Sequence, residues 1–136
     1  MYLLDTNVLS HLVRKRPSPE LTARLRQHAN DVLFTSCVCV MELRTGAMRR
    51  DDSEAFWSRI EREILSRVAI LDLGTREAMI AGDVLAHVSI RGRMIDVEDV
   101  LIGATALIRN LTVVTNNLDH FRRIPHLTIE DWTAEQ

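Results

Sequence analysis

Cysteine is scarce in this 136-residue chain: Cys37 and Cys39 are the only two, both inside one apolar run. No second pair completes a zinc site, so a structural zinc cluster is excluded and a reducing compartment is the expectation. Long apolar runs are also missing. No stretch reaches the roughly 18 residues that span a bilayer, and Asp5 interrupts the first apolar run too early for a secretory signal. A cytoplasmic protein with no membrane contact is expected. The three prolines do not gather into a linker, and neither low-complexity tracts nor repeats are visible, so residues 1–136 read as a single domain. Lysine is almost absent, with Lys15 beside sixteen arginines. Seventeen basic against nineteen acidic residues leave a net charge of −2, which excludes a wholly basic nucleic-acid-coating surface but not a local basic patch. Aromatics make up only 4%, yet 46% hydrophobic and 26% charged residues are enough for one ordinary core and exclude a fibrous or disordered chain. About two-thirds of the unfolded surface can be buried at this length, so neither a disulfide nor a structural metal is needed for stability.

What is present alternates. Short apolar runs at Tyr2–Leu4, Val32–Thr35, Ala69–Leu71, Leu111–Val114 and Leu127–Ile129 read as strands. Helical stretches fall at Asn7–Lys15, Glu20–Asn30, Cys37–Arg49, Ser53–Ser66, Arg76–Arg91 and Ile95–Arg109. Strands of continuous Leu, Ile and Val, rather than alternating ones, predict an α/β fold with a mostly parallel sheet covered on both faces. Ser36 is placed to cap the third helix, and Gly74-Thr75 leads into the fifth. Gly92-Arg93 separates the last two long helices. The stretch Ile95–Arg109 is apolar nearly all round, which predicts a central, buried helix.

In an open α/β sheet the ligand crevice lies beyond the carboxyl ends of the strands. Two strand ends resemble each other: Leu3-Leu4-Asp5-Thr6-Asn7 and Val113-Val114-Thr115-Asn116-Asn117. Two further acids stand on apolar helical stretches, Glu42 and Asp99, each followed four residues later by glycine (Gly46, Gly103). Glycine there lets another backbone or a ligand approach. An unpaired carboxylate in apolar company costs several kcal/mol or takes up a proton. Carboxylates with Asn and Thr oxygens, and no His or Cys among them, suit a hard divalent cation and so phosphoryl or phosphodiester chemistry. Each residue also has an ordinary reading. Asp5-Thr6 is a helix cap, Glu42 a solvated ion-pair partner of Arg44 or another surface Arg, and Asp99 a member, with Asp96 and Glu98, of an acidic first turn. The five histidines show no ligand spacing and read as surface or capping groups; the methionines read as core filling.

Taken in order, Leu3-Leu4-Asp5-Thr6-Asn7-Val8-Leu9, Met41-Glu42-Leu43-Arg44-Thr45-Gly46-Ala47 and Asp99-Val100-Leu101-Ile102-Gly103-Ala104-Thr105-Ala106 resemble the PIN-domain ribonucleases. The run from Thr115 to Pro125 and the closing Ile129-Glu130-Asp131-Trp132 look like the VapC toxins of bacterial toxin–antitoxin modules. The resemblance implies a PIN fold and a Mg²⁺- or Mn²⁺-dependent endoribonuclease. It also implies a homodimer, a cognate VapB antitoxin that blocks the site, and a larger complex that binds operator DNA through the antitoxin. By position, Asp5 and Asp99 would hold the metal and Glu42 the metal or its water, with Asn7 and Thr115 supporting and Asn116 helping to position them. Two departures stand out. Asn117 occupies the place of a fourth acid, with Asp119 the nearest carboxylate to replace it. Ile95-Asp96-Val97-Glu98-Asp99 replaces the usual Gly-Pro-x-Asp entry, which leaves Asp96 as a helix cap or a further group facing the ion, the cap being preferred.

The expected reaction is hydrolysis by a metal-bound water, leaving a 3′-hydroxyl and a 5′-phosphate, with Arg14, Lys15, Arg16, Arg44, Arg49 and Arg50 as candidates to grip RNA. A haloacid-dehalogenase-like phosphatase is the alternative enzyme. It needs a second Asp where Asn7 stands. A receiver-like binding module with a vestigial acidic pocket is the non-enzymatic one.

Overall fold

The computed structural model describes residues 1–134. Five strands form one wholly parallel sheet: β1 (Tyr2–Leu4), β2 (Leu33–Ser36), β3 (Ala69–Leu71), β4 (Thr112–Val114) and β5 (Ile129–Glu130), in the order β3-β2-β1-β4-β5. Leu3 and Leu4 are successive residues and so point to opposite faces, yet both are buried, as are Val113 and Val114. Both faces of the sheet are therefore covered, as the continuous apolar strands predict. Seven helices do the covering: α1 (Thr6–Leu12), α2 (Pro19–Gln27), α3 (Cys37–Met48), α4 (Ser53–Glu63), α5 (Thr75–Ile90), α6 (Val97–Arg109) and α7 (Leu118–Phe121). No helix among the described residues is long and apolar enough to cross a membrane.

Local chemistry sets the helix ends. Ser36 accepts from the Val38 N–H at 3.1 Å, as expected of a cap. Ser18 and Pro19 start α2 one residue ahead of the predicted boundary. The Glu77 carboxylate accepts from the Gly74 N–H at 2.9 Å and also takes Arg109 at 3.0 Å, tying α5 to the end of α6. Helix α6 begins at Val97 and not at Ile95: Asp96 holds the extended N-cap conformation, while Ile95 and Val100 flank it as a buried apolar pair. Asn110 closes α6 in the left-handed conformation, φ 54°. The predicted Ser53–Ser66 helix stops at Glu63 and tightens into a 3₁₀ turn over Leu65–Arg67. The four-residue α7 is too short to leave a periodic signal and is absent from the sequence reading.

From β1 the chain moves outward through β2 to β3, then crosses back to place β4 on the other side of β1. The order thus reverses between β1 and β4, the position in an open α/β sheet where a crevice forms. The two similar strand ends meet there, with Leu4 in register with Val114 and the Asp5 N–H donating to the Val114 carbonyl at 2.9 Å.

Candidate active site

Asp5 follows β1 directly and is 3% exposed. Its Oδ1 accepts from the Thr6 N–H at 2.7 Å, and its Oδ2 accepts from Thr115 Oγ1 at 2.8 Å and Asn7 Nδ2 at 3.0 Å. The cap and cluster readings are thus both realised in one side chain. Thr115 is fully buried and also accepts from the Asn117 N–H at 2.9 Å, while Asn7 Oδ1 accepts from the Asn116 N–H at 3.2 Å. Asn7, Thr115 and Asn116 therefore form the frame around Asp5, Asn116 through its backbone. Asn7 is spent on that frame and supplies no second carboxylate of the kind a phosphatase requires.

Glu42 does not pair with Arg44. Its Oε1 accepts from Thr6 Oγ1 at 2.7 Å, while the Arg44 guanidinium lies over Trp57, 4.9 Å from the ring centroid. Helix α3 sets Glu42 at the rim of the crevice, at the edge of the face formed by Val38, Cys39, Leu43 and Ala47, which is buried. Asp99, in the first turn of α6, accepts from Asn117 Nδ2 at 3.3 Å and contacts His120 Nδ1 at 3.0 Å. Asp5, Glu42, Asp96, Asp99 and Asn117 line one cleft of about 430 Å³, together with residues of α1.

In and behind that cleft the potential ligands fall into two groups, the atoms of each lying within 4.8 Å of one another: Asp5–Cys39–Glu42, with Cys39 fully buried, and Asp96–Asp99–His120. Asp5 and Glu42 face Asp99 from a different group, so the cluster has two lobes. Asp96 holds the N-cap backbone position but makes no capping hydrogen bond with its side chain, which stands in the second lobe. The preferred cap reading therefore fails for that side chain. Asp119 is corrected as well: 88% exposed and 3.8 Å from Arg122, it lines a separate depression with Arg93, Arg122 and Arg123 and not the acidic cleft, where Asn117 fills the place. His120 contradicts the reading of the histidines as surface or capping groups. Its sequence signal is the three-residue step from Asn117, which puts the two on one side of α7. Thr6, read from the sequence only as part of a helix cap, is a second such residue, since its hydroxyl holds Glu42. Nor do the two glycines behave alike. A Cβ on Gly103 would lie 2.5 Å from Ile124 Cδ1, whereas Gly46 faces open space.

A family model for the PIN domain matches residues 2–127 of this chain. The chain belongs to the PIN-domain family. Ribonuclease VapC2 of Haemophilus influenzae is 35% identical over 131 residues, which cover 96% of this chain and 97% of that protein. The tRNA(fMet)-specific endonuclease VapC of Salmonella typhimurium is 34% identical, with 96% and 97% covered. Among solved structures, VapBC2 of Rickettsia felis bound to a promoter DNA fragment contains a chain that superposes with a TM-score of 0.88 at 30% identity, covering 96% of this chain and 98% of that one.

The electrostatics of this PIN-domain cleft are those of an uncompensated acidic site. Burial raises the Asp5 carboxyl to about 6 against hydrogen bonds from Thr115 and Thr6, with Asp99 and Glu42 pushing in the same direction. Glu42 is raised by burial, opposed by Thr6, and raised further by Asp99, Glu98 and Asp96. Asp99 is also raised by burial, opposed by His120. No lysine or arginine forms an ion pair with Asp5, Glu42 or Asp99 among the described residues. Hard oxygen donors that strain against their own charge and lack a cationic partner fit a divalent cation. Cys39, by contrast, is a buried thiol pushed up to about 11 and stays neutral.

Proposed function

We propose that this chain is a single-domain endoribonuclease toxin of a type II toxin–antitoxin pair, hydrolysing RNA phosphodiester bonds and neutralised by a VapB-type antitoxin. The observation that carries the reading is the meeting of Asp5, Glu42 and Asp99 at the β1/β4 reversal, in a chain that aligns end to end with VapC ribonucleases. Asp5 and Asp99 would hold Mg²⁺ or Mn²⁺, which when bound neutralises phosphate charge and acidifies water. Asn7, Thr115 and the Thr6 N–H fix the Asp5 carboxylate, while Asn117 and His120 fix that of Asp99. The oxygen Glu42 Oε1 is occupied by Thr6, which leaves Oε2 to orient the attacking water and take its proton. Attack by water and not by the ribose 2′-hydroxyl leaves a 5′-phosphate and a 3′-hydroxyl. Related VapBC complexes solved bound to DNA, one to a promoter fragment, support an assembly of this chain with its antitoxin on operator DNA; within it this chain is a homodimer, and the assembly is cytoplasmic.

The test incubates the purified chain with a structured RNA in Mg²⁺ or Mn²⁺, with and without EDTA, and separately with small phosphate esters. Internal cuts that vanish in EDTA and in Asp5→Asn and Asp99→Asn, with circular dichroism unchanged, are expected. Release of phosphate from the esters, or full cleavage by either variant, contradicts the reading. Co-purification with the product of an adjacent small reading frame, with loss of cutting, tests the antitoxin.

A further inference from the structure

An acidic cleft repels the polyanion it cuts, and a bound cation offsets that charge only at the scissile phosphate, so neighbouring phosphates need cations of the protein itself. The two segments that bring Asp96 and His120 to the acidic group also carry such cations in a built arrangement. Arg93 follows the turn at Gly92, where φ is +67°, and Arg122 and Arg123 follow α7. Together with Arg91 they line two adjoining depressions of about 400 and 560 Å³ that share Arg93, Arg122 and Arg123. These segments also build the acidic cleft: Arg93 stands three residues before Asp96, and Arg122 two after His120. The Arg123 guanidinium donates to the Met94 carbonyl and so ties the loop before α6 to α7.

The charge here is largely unspent. Across the cleft, Arg50 is held by Asp52 at 2.7 Å and Arg59 by Glu63 at 3.1 Å, and Arg44 lies over Trp57, while Arg14, which lines the acidic cleft itself, stands singly against His11 at 3.0 Å. On the arginine side, four guanidinium groups meet one carboxylate, Asp119, which is 3.8 Å from Arg122 with both side chains largely exposed. An exposed pair of that kind is worth little and yields readily to a phosphate.

We infer that Arg91, Arg93, Arg122 and Arg123 form the surface that grips the RNA phosphate backbone on one side of the scissile bond, holding the strand in line with Asp5, Glu42 and Asp99. The inference rests on the nuclease reading and names the substrate contact of that site. Contacts to phosphate position a strand without reading its bases, so the effect is independent of sequence. None of these four is among the basic residues picked out from the sequence alone, because only the fold joins positions 91–93 to 122–123.

The test measures binding of a fluorescent RNA hairpin with single-stranded flanks to the full chain in EDTA, where no cutting occurs, and initial cleavage rates in Mg²⁺. Arg93→Ala/Arg122→Ala is expected to weaken binding roughly tenfold or more at low salt and to flatten the logarithmic salt dependence by about one to two. Arg62→Ala/Arg76→Ala, an equal charge change at exposed positions of α4 and α5, leaves binding as it was, and Arg93→Lys/Arg122→Lys recovers most of the loss. Wild-type binding by the alanine pair, with metal-dependent cutting intact, overturns the arginine surface and leaves the nuclease reading standing. A wild-type chain that cuts no RNA overturns both. If the alanine pair loses affinity for duplex DNA of the same length but not for RNA, the surface serves another ligand and the inference fails.

Discussion

Three neutral donors surround Asp5 in a setting that leaves 3% of it exposed, and its carboxyl titrates near 6 instead of 3.8. A shift of that size corresponds to about 3 kcal/mol between the two protonation states. The sign follows from proton counting. Between pH 4 and 6 the native chain retains a proton that the unfolded chain has released, so this residue's contribution falls as pH rises and is a constant penalty above 6. Asp5→Asn removes the charge but turns one oxygen, the acceptor for Asn7 and Thr115, into an amide, at a cost of about 1 kcal/mol. The variant is therefore expected to be more stable than the parent in EDTA at pH 8 by about 1–2 kcal/mol, or roughly 3–6 °C in thermal melts, while losing all cleavage. The gap should close near pH 4. A variant that melts at or below the parent at pH 8 would show that Asp5 is not under electrostatic strain.

Helix α6 and the segment after it show how one local pattern yields two outcomes. Both Glu42 and Asp99 precede a glycine by four residues, but only Gly103 lies under another side chain, Ile124, which is 3% exposed. Gly103→Ala gains about 1 kcal/mol of helix propensity against an overpacking cost of about 1–3 kcal/mol, a net loss on the order of 1 kcal/mol. Gly82→Ala on α5, where nothing stands within 4 Å, should gain about 0.5–1 kcal/mol. Urea midpoints of the two variants, moving in opposite directions, check the contrast; equal shifts would remove it. The same distinction explains what could be read from the chain in advance. Runs such as Leu3-Leu4 and Val113-Val114 declare a doubly covered sheet because their composition leaves no polar face, and Asp5, Glu42 and Asp99 stand out because acids in apolar runs are costly. His120 and the arginine surface are invisible at that level, since their meaning lies in partners about 20–30 residues away, Asp99 for His120 and Met94 for Arg123. Asp119 misleads for the converse reason: its chemistry suits the cleft, but the turn of α7 that carries His120 inward carries its neighbour out.

At the scale of the whole molecule, the acids arrive from the end of β1, from α3 and from α6, and Thr115 from the end of β4, so the proposed cation site is assembled only by folding. Binding there is accordingly a folding free energy, RT ln(1 + [M²⁺]/Kd), about 2.7 kcal/mol at a hundredfold excess over Kd. The proton held near pH 6 by Asp5 competes for the same oxygens, which makes the metal's effect depend on pH. Mg²⁺ or Mn²⁺ should raise the melting temperature by several degrees at pH 8, distinctly less at pH 5, and not at all in Asp5→Asn. The ion also relieves the mutual repulsion of Asp5, Glu42 and Asp99, so the parent, less stable than Asp5→Asn in EDTA, should become the more stable of the two once metal saturates. Melting curves of both chains at the two pH values, with metal and with EDTA, check this reversal. A metal-induced rise that is the same at pH 5 and 8, or that persists in Asp5→Asn, would place the ion somewhere other than between the ends of β1 and β4.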